Sequence, residues 1–300
     1  MIRFDERVAI VTGAGKGLGR AYALHLAALG ARVIVNNRRR AGDAGVRASA
    51  DEVVETIKAA GGEAVANYDS VEDATSGERM VSQALDTWGR LDVLINNAGI
   101  DQHRSFHKIS VAEFRTIFDV NFLGSLYVTH AAYAHMRTAG YGRIVVSTSS
   151  AGLHGLHGLS AYAASKAALI GLMRTIAAEG KSHNVLANAI APFAATQMTA
   201  RDATPDFLAT MSPQWVAPMV AFLVSEQTQL NGQTIVAGKG AFRRAATVEG
   251  RGIGYTRAAD LVPETLARDL DRIVDMSASG EFGDGMESFS DLFRSHPGVQ

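Results

Sequence analysis

The segment Thr12-Gly13-Ala14-Gly15-Lys16-Gly17-Leu18-Gly19 lies between a short apolar run, residues 7–11, and a stretch with helical spacing, residues 17–29. Glycines at such a junction permit a tight turn, and they let an anionic ligand approach the free N–H groups at the start of the helix. The spacing T-G-x-x-x-G-x-G differs from the common G-x-G-x-x-G pattern, and an ordinary structural turn is the alternative interpretation. Its position directly after the first strand favours nucleotide binding.

Strand-like and helical segments alternate along the chain beyond this turn. Short apolar runs rich in β-branched residues predict strands at residues 7–11, 32–35, 64–66, 91–95, 143–147, 185–190 and 234–236. Helical spacing predicts helices at residues 17–29, 49–60, 78–88, 110–136, 161–179 and 213–224. Such an alternation forms right-handed βαβ crossovers, and continuous apolar strands are buried on both faces. The sequence therefore predicts an α/β fold with a doubly wound parallel sheet of about seven strands.

The domain organisation is predicted from the point where this alternation stops. Residues 1–239 are expected to form one domain, and residues 240–300 are expected to form a C-terminal extension packed on it. Within the extension the pattern predicts a helix over residues 258–274 and a mobile glycine-rich segment over residues 277–285. Within the domain, Asn121 and Gly124 are poor helix formers, so they predict a local break in the long helical run.

The composition excludes several classes of function. The chain has 300 residues, a formal net charge of -1 and no cysteine. The lack of cysteine excludes disulfides, thiolate metal sites and cysteine nucleophiles, and a neutral balance argues against nucleic acid or an anionic membrane as the main partner. Residues 1–6 do not resemble a signal peptide, and the chain ends in Gln300 without a peroxisomal tripeptide. We therefore expect a cytoplasmic protein that acts on a small molecule.

Three further polar motifs follow the fourth and fifth predicted strands. Asn96-Asn97-Ala98-Gly99 follows the fourth strand, Ser147-Thr148-Ser149-Ser150 follows the fifth, and Tyr162 and Lys166 begin the next helix. The carboxyl ends of parallel strands line the ligand crevice of an open sheet. Each motif alone has an ordinary alternative, namely a turn, a polar strand end or an exposed pair of side chains on a helix.

The spacing of Tyr162 and Lys166 is suited to proton transfer. Residues four apart project from the same face of a helix. A phenol has a reference pKa of about 10, and a neighbouring ammonium group lowers that pKa by stabilising the phenolate. A tyrosine and a lysine at a ligand crevice can therefore donate and accept a proton together.

Taken together, the order and spacing of the four motifs resemble the short-chain dehydrogenase/reductase family over residues 3–238. The resemblance implies a Rossmann-like dinucleotide-binding and catalytic domain that uses NAD(H) or NADP(H). It implies that Tyr162 is the general acid/base, that Lys166 lowers the pKa of Tyr162 and holds the nicotinamide ribose, and that Ser149 orients the substrate oxygen. Asn121 matches the fourth catalytic position of the family, where an asparagine interrupts a helix and anchors a water that leads protons to the lysine.

The same resemblance identifies the expected cofactor-binding residues, which are Gly13, Lys16, Gly17, Leu18, Gly19, Asn37, Arg38, Asp69, Ser70, Asn97, Ala98, Gly99, Tyr162, Lys166, Pro192 and Thr196. An acidic residue after the second strand binds the adenosine 2′-hydroxyl, whereas a basic residue there favours a 2′-phosphate. Asn37 stands at that position and is followed by Arg38, and Lys16 adds a second cation. The sequence therefore favours NADP(H) over NAD(H), although two solvated surface charges are the alternative.

Within the family, several segments resemble the (3R)-hydroxyacyl-CoA dehydrogenase units of peroxisomal multifunctional β-oxidation enzymes. They are residues 65–71, 104–106, 179–184 and 190–192. The chain departs from those units at Asn121, where they have histidine, and at Asn37, where they have an acidic residue. It also has Phe193 where the wider family usually has glycine after Pro192.

This resemblance suggests a 3-oxoacyl or (3R)-hydroxyacyl thioester as the substrate, with free or steroid-like ketones as the alternative. An elongated substrate requires an apolar channel, which could be formed by Leu153, Leu156, Phe193, Met198 and Trp215. Arginines beyond residue 240 could meet CoA phosphates. A non-catalytic nucleotide-binding regulator and a nucleotide-sugar epimerase are alternatives from other classes. The intact catalytic set disfavours the first, and the lack of a sizeable substrate domain disfavours the second.

Two histidines and a group of small residues bear on metal binding and self-association. His154 and His157 flank glycines, but zinc needs three or four ligands and no cysteine or nearby acid completes a set. We therefore predict no metal site. Small residues on the helix that carries Tyr162 permit close helix packing, and the family usually pairs this helix between subunits, so a homodimer or homotetramer is expected. Packing within one subunit is the alternative.

Overall fold

A computed structural model describes residues 1–39, 49–195, 204 and 210–296, which form two compact units, Met1–Arg244 and Ala245–Gln300. The first unit contains a sheet of eight strands in the order β3-β2-β1-β4-β5-β6-β7-β8. These strands are β1 (Val8–Val11), β2 (Arg32–Asn36), β3 (Ala64–Asn67), β4 (Val93–Asn96), β5 (Gly142–Ser147), β6 (Val185–Pro192), β7 (Thr234–Gly238) and β8 (Ala241–Ala245). The predicted doubly wound α/β class is confirmed.

The first seven strands are parallel and buried on both faces. Each pair from β3 to β7 is hydrogen-bonded in parallel, with Ile10 of β1 opposite both Ile34 of β2 and Leu94 of β4. Continuous apolar sequence is what such strands require, because helices cover both sides of the sheet. All the carboxyl ends consequently lie along one edge, which is where a ligand crevice forms in open sheets.

The eighth strand lies outside the sequence prediction. It follows β7 after two residues, Lys239 and Gly240, both with positive φ (52° and 73°). Such a two-residue turn joins antiparallel strands. Residues 241–245 read Ala-Phe-Arg-Arg-Ala and are largely exposed, so they lack the apolar run that marked the other strands. The predicted division at residue 240 falls within this turn.

Helices pack on both faces of the sheet and create two apolar cores. The helices of the first unit are α1 (Gly17–Ala28), α2 (Ser49–Ala59), α3 (Ser76–Trp88), α4 (Val111–Phe118), α5 (Gly124–Ala139), α6 (Ser150–His154), α7 (Ser160–Gly180) and α8 (Ala217–Leu223), with 3-10 turns at Lys181–His183 and Pro213–Trp215. One core contains residues of α1, α2 and α8, and the other contains residues of α3, α5 and α7. No helix in the described part of the chain is long and apolar enough to cross a membrane.

The predicted break in the long helical run is present. A π-helical turn, Asp119–Leu123, separates α4 from α5. The start of α4 is fixed by a capping box, in which the Ser110 hydroxyl accepts from the Glu113 amide at 3.2 Å and the Glu113 carboxylate accepts from the Ser110 amide at 2.8 Å. The π-turn places Asn121 in the buried side of the helix, which faces the site described below.

The described part of the second unit contains short strands and helices, the longest of which has 11 residues. They are β9 (Glu249–Gly250), a 3-10 turn (Ala258–Asp260), α9 (Pro263–Arg268), α10 (Leu270–Ile273), β10 (Ser279–Gly280) and α11 (Gly285–Ser295), with β9 and β10 antiparallel. The prediction of one helix over residues 258–274 is wrong. Pro263 lacks an amide hydrogen and holds Val262 extended (φ -116°, ψ 152°), so a helix begins at the proline and cannot run through it.

An ion network joins the amino ends of the central strands, opposite the ligand edge. The buried Asp92 carboxylate accepts from the Val8 amide at 2.9 Å, from Arg7 at 2.7 Å and from Arg90 at 2.7 and 2.8 Å. Burial alone would raise the pKa of the Asp92 carboxyl, but the hydrogen bonds from Arg90, Val8 and Arg7 hold that pKa below its usual value. The network therefore stabilises the fold without touching the ligand edge.

Candidate active site

A cleft runs along the carboxyl ends of β1 to β4. It encloses about 570 Å³, part of it open to solvent, and the residues that line it are Gly13, Asn36, Asn37, Arg38, Asp69, Ser70, Val71, Glu72, Ala98, Gly99, Ile100 and Val120. Seven of the predicted cofactor-binding residues are among them, namely Gly13, Asn37, Arg38, Asp69, Ser70, Ala98 and Gly99. The structure thus brings together segments that are far apart in the chain, as the hydrogen bond between Thr12 and Ala98, 86 positions apart, illustrates.

The glycine turn is held against the segment that follows β4. The Thr12 hydroxyl accepts from the amides of Asn97 and Ala98 at 3.0 and 3.1 Å, and the Asn97 side chain donates to the Thr12 carbonyl at 3.1 Å. Gly13 has φ +63°, and a Cβ atom there would lie 2.9 Å from the Cα atom of Ala98. A Cβ atom at Gly19 would collide with the Gly13 carbonyl oxygen and the Asn97 side chain. Only glycine permits this close contact.

The cleft suits the adenosine half of a dinucleotide. The Asn36 side chain donates to Asn67 at 2.7 Å and to the Asp69 carbonyl at 2.9 Å, which fixes the ends of β2 and β3. The Ser70 hydroxyl lines the cleft, is buried and has no hydrogen-bond partner among the residues that the structure describes. A buried polar atom without a partner favours a ligand that supplies one.

The amino end of α1 suits the pyrophosphate. The helix begins at Gly17, and its first turn, Gly17, Leu18, Gly19 and Arg20, contains no acidic residue. Its free N–H groups and positive dipole end attract an anion. Lys16 immediately precedes the helix and is exposed. The glycine turn and the cleft residues therefore fit a dinucleotide, with Gly13, Gly17 and Gly19 allowing its close approach.

Two charged side chains face each other at the adenosine end of the cleft. Arg38 follows β2 and Glu72 follows β3, and the Arg38 Nη1 atom donates to the Glu72 Oε1 atom at 2.8 Å. Asn37, between β2 and Arg38, donates to the Ser49 hydroxyl at 2.9 Å. The cation that the sequence analysis assigns to a 2′-phosphate is therefore paired with a carboxylate of the same cleft.

Tyr162, Ser149 and Lys166 meet at the end of β5. Ser149 caps α6, where its hydroxyl accepts from the Ala151 amide at 3.1 Å, and its side chain lies near enough to the Tyr162 phenol to lower the pKa of Tyr162. The Lys166 Nζ atom donates to the Ser147 carbonyl at 2.7 Å and lies 5.7 Å from the centre of the Tyr162 ring. The three side chains predicted to act together are thus adjacent.

The pKa values of this group follow mainly from burial. Burial raises the pKa of the Tyr162 phenol, the interaction with Ser149 offsets part of that change, and the charge of Asp101 raises it further. Burial also lowers the pKa of the Lys166 amine to about 8. The structure gives Lys166 no part in lowering the pKa of Tyr162, so that expected effect stays a prediction.

Asn121 joins the group through its side chain. Its Oδ1 atom accepts from the Ile100 amide at 2.8 Å, and its Nδ2 atom donates to the Ile100 carbonyl and to the Ser165 hydroxyl, both at 3.0 Å. Its own carbonyl accepts from the Ser125 hydroxyl at 2.8 Å. A Cβ atom at Gly99 would lie 3.1 Å from the Asn121 Oδ1 atom and 3.4 Å from the Lys166 Nζ atom. Asn121 and Lys166 therefore border the same small space beside the strand end.

The structure adds three residues that were not predicted as site residues. Ser165 is buried and donates to the Tyr162 carbonyl at 2.8 Å while it accepts from Asn121. Thr12 holds the glycine turn, and Glu72 pairs with Arg38. Ser165 is three residues from Tyr162, so helical spacing could have indicated it. Glu72 carries no sequence signal, because its partner lies on another strand end 34 positions away.

Three of the large apolar side chains that the sequence assigns to a substrate channel are exposed. Leu156, Phe193 and Trp215 are 58%, 40% and 51% exposed. The segment after β4 contacts the loop before α7 through the Arg104 amide, which donates to the Gly158 carbonyl at 2.7 Å. Pro192 ends β6, whereas Thr196 and Met198 lie outside the described residues. In the part of the chain that is described, no group of three histidines or acidic residues is placed to hold a metal ion.

Comparison with known proteins agrees with this geometry. The family model for short chain dehydrogenase matches residues 7–206. The chain is 43% identical over 281 residues to peroxisomal multifunctional enzyme type 2 of Mus musculus, which covers 92% of this chain and 38% of that protein. It is 41% identical over 277 residues to a putative short-chain type dehydrogenase/reductase of Mycobacterium tuberculosis, covering 92% of this chain and 96% of the relative.

A solved structure shows the same architecture. The full-length peroxisomal multifunctional enzyme type 2 of Drosophila melanogaster superposes with a TM-score of 0.81 at 35% identity, over 98% of this chain and 50% of that chain. This chain therefore spans only part of the multifunctional enzymes it resembles, from 38% of the Mus musculus protein to 59% of the Dictyostelium discoideum protein. The chain belongs to the short-chain dehydrogenase family, a class of NAD(P)-dependent oxidoreductases, and the predicted family and enzyme class are confirmed.

Proposed function

We propose that this protein transfers a hydride between a nicotinamide cofactor and a carbonyl/secondary alcohol pair. The observation that carries the proposal is the meeting of Tyr162, Ser149 and Lys166 at the end of β5, beside a cleft that fits a dinucleotide. Nucleotide binding without catalysis does not require a buried lysine and a tyrosine at this spacing. The cofactor supplies or accepts the hydride, and the chain's own residues handle the proton.

In the reducing direction the Tyr162 phenol donates its proton to the carbonyl oxygen of the substrate. Burial raises the pKa of Tyr162, so the phenol carries its proton at neutral pH and has one to donate. The Ser149 hydroxyl, fixed by its hydrogen bond to the Ala151 amide, positions the same substrate oxygen. In the oxidising direction these proton movements are reversed.

Lys166 and Asn121 support that proton transfer. The Lys166 amine has a pKa of about 8, so it carries its proton at neutral pH and presents a positive charge beside Tyr162. That charge stabilises the phenolate that remains after donation. Asn121 holds the backbone of Ile100 at the edge of the site through two hydrogen bonds. We propose these four residues as the catalytic set.

We propose NADP(H) as the favoured cofactor, with NAD(H) accepted as well. Support comes from Asn37, which places no negative charge beside the adenosine ribose, and from Arg38, which lines the cleft. Kinetics with both cofactors test the proposal. We expect the larger kcat/KM with NADPH, and a preference of tenfold or more for NADH would refute it.

The proposed substrate is a 3-oxoacyl or (3R)-hydroxyacyl thioester. A relative from Synechocystis that is 37% identical over 243 residues is named a 3-oxoacyl-[acyl-carrier-protein] reductase. The exposed Leu156, Phe193 and Trp215 side chains could line an apolar channel for an acyl chain. The same exposed aromatic surface could also bind free cyclic or steroid-like ketones, and their reduction is the second candidate function.

A substrate panel separates these candidates. Oxidation of NADPH and NADH is followed with acetoacetyl-CoA, longer 3-oxoacyl-CoAs, cyclic ketones and a steroid ketone. We expect turnover of the thioesters, with kcat/KM rising with chain length. Turnover of free ketones alone would remove the acyl assignment, and cofactor binding without turnover of any ketone would favour the non-catalytic regulator.

The proposal also covers the oligomeric state and the cellular location of the protein. We propose a homodimer or homotetramer through α7, because Ala164, Ala167 and Gly171 form an exposed stripe of small residues on that helix. We also propose a cytoplasmic location, although several relatives are named as peroxisomal enzymes. Light scattering tests the first, since a monomer would contradict it. Imaging of the full chain in its native cell tests the second.

A further inference from the structure

The charged side chains at the adenosine end of the cleft differ in the number of ionic partners they have. Asp69 is paired with Arg79 at 2.7 Å, and Arg79 also binds Asp73 at 2.8 Å. Arg38 and Glu72 pair only with each other among the ion pairs of the described residues, at 2.8 Å. Both line the cleft, and both side chains are partly exposed, at 45% and 39%. Among the described residues that line the cleft, Arg38 and Glu72 therefore form the ion pair that an entering ligand meets.

The next cation along the chain is already engaged. The guanidinium of Arg39 stacks over the ring of Tyr68 at 4.1 Å, and the Tyr68 hydroxyl hydrogen-bonds the carboxylate of Asp51. Arg38 is therefore the described arginine after β2 that faces the cleft directly. An anion on the adenosine ribose has Arg38 as its partner and Glu72 as its competitor.

We propose that Glu72 is a specificity-determining residue, which competes with the 2′-phosphate of NADP(H) for Arg38 and limits the preference of this protein for that cofactor. The proposal rests on the dinucleotide site proposed above. The carboxylate offsets the charge that attracts the phosphate and occupies one of the N–H donors that would bind it. A ribose with a free 2′-hydroxyl has no such competition and can accept a hydrogen bond from Arg38 without displacing Glu72.

The low strength of the pair is consistent with such a role. Exposed pairs of this kind contribute little to stability, so the Arg38–Glu72 contact is not needed for the fold. A phosphate, with a charge of about −1.5 to −2 near neutral pH, can exchange with the carboxylate at small cost. The pair therefore tunes the affinity for a 2′-phosphate without closing the cleft to it.

Binding of adenosine fragments to the whole protein tests this directly. Calorimetry measures the Kd of adenosine 2′,5′-bisphosphate and of 5′-AMP for the unmodified chain and for Glu72→Gln. We expect the substitution to raise the ratio of affinities, bisphosphate over monophosphate, by about tenfold. Glu63→Gln is the matched control, because Glu63 pairs with Arg32 at 3.2 Å at the amino end of β3, far from the cleft. It should leave that ratio unchanged.

A second variant separates competition for Arg38 from simple repulsion. In an Arg38→Gln background, Glu72→Gln should change the affinity ratio by less than about twofold, since the contested partner is gone. A tenfold change that persists in this background, or an unchanged ratio in the single variant, would overturn the proposal. If neither fragment binds the unmodified chain, the dinucleotide site itself is refuted. Binding of both fragments without an effect at Glu72 refutes the specificity role alone.

Discussion

Replacement of Tyr162 by phenylalanine removes one oxygen atom from the proposed site and leaves the aromatic ring in place. The ring, which α7 carries, stays beside Lys166, and Ser149 stays fixed because its hydroxyl still accepts from the Ala151 amide at 3.1 Å. The substitution therefore separates proton donation from the packing of the site. We expect cofactor affinity and folding to be little affected and turnover to be strongly reduced.

The size of both effects follows from the contacts of the phenol. Loss of the interaction between the Tyr162 phenol and Ser149 costs about 1 kcal/mol of stability at most, which is the usual net contribution of one hydrogen bond. Loss of general acid catalysis lowers turnover by about 10²–10⁴-fold, which corresponds to about 3–5 kcal/mol in the activation barrier. The catalytic loss should therefore exceed the loss of stability several times over.

The assay is NAD(P)H oxidation at saturating cofactor with the best ketone or thioester of the panel, together with thermal unfolding of the same sample. Tyr22→Phe is the matched control. It removes a phenolic oxygen that is buried in α1 and has no hydrogen-bond partner in the described part of the chain. The control should retain turnover. Near-normal turnover of Tyr162→Phe at neutral pH would refute the proposed proton donor.

Three further predictions concern pH, stability and the glycine turn. Because burial lowers the pKa of the Lys166 amine to about 8, kcat/KM for carbonyl reduction should fall as pH rises through about 8, and a profile that stays flat well above that value would contradict a role for the ammonium group. Asp92→Asn should lower the free energy of unfolding by about 3 kcal/mol at neutral pH. Because the folded-state pKa of Asp92 is depressed, this stabilisation is present above the unfolded pKa of about 3.9 and is lost as pH falls below it, so chemical denaturation should show a smaller difference in acid. Gly19→Ala should weaken cofactor binding at least tenfold, because its Cβ atom would displace the Gly13 carbonyl and the Asn97 side chain. Gly285→Ala, whose Cβ atom meets open space, should leave the Kd unchanged in the same titration.

Local physical chemistry determined most of the fold. Strands that are buried on both faces require continuous apolar sequence. For this reason seven of the eight strands could be predicted from apolar runs between residues 7 and 236. The helix break at Asn121 was readable for the same kind of reason, because asparagine and glycine are poor helix formers. Strand β8 was not readable, since it is exposed and carries no apolar pattern, and the predicted helix over residues 258–274 failed at Pro263.

The members of the site could be named from the sequence because motif order indicates which strand ends carry polar residues. Tyr162 and Lys166 share a helix face by spacing alone, and Asn97 follows a strand that must end at the ligand edge. Ser165 was not predicted as a site residue although it lies in the same motif, because a single serine in a helix usually has only a structural role. Its bond to Asn121 joins positions 44 residues apart and depends on the packing of two helices.

The charges that face a ligand were decided only by tertiary structure. The sequence shows Arg38 as a free cation after the second strand, and this reading favours NADP(H). Folding places Glu72, from the end of a neighbouring strand, 2.8 Å from that cation. Burial likewise sets the pKa of Lys166 to about 8, against the usual value of a lysine. Both effects depend on distance and on exclusion of water, which are properties of the packed molecule, whereas residue type and spacing along the chain specify only which groups are present.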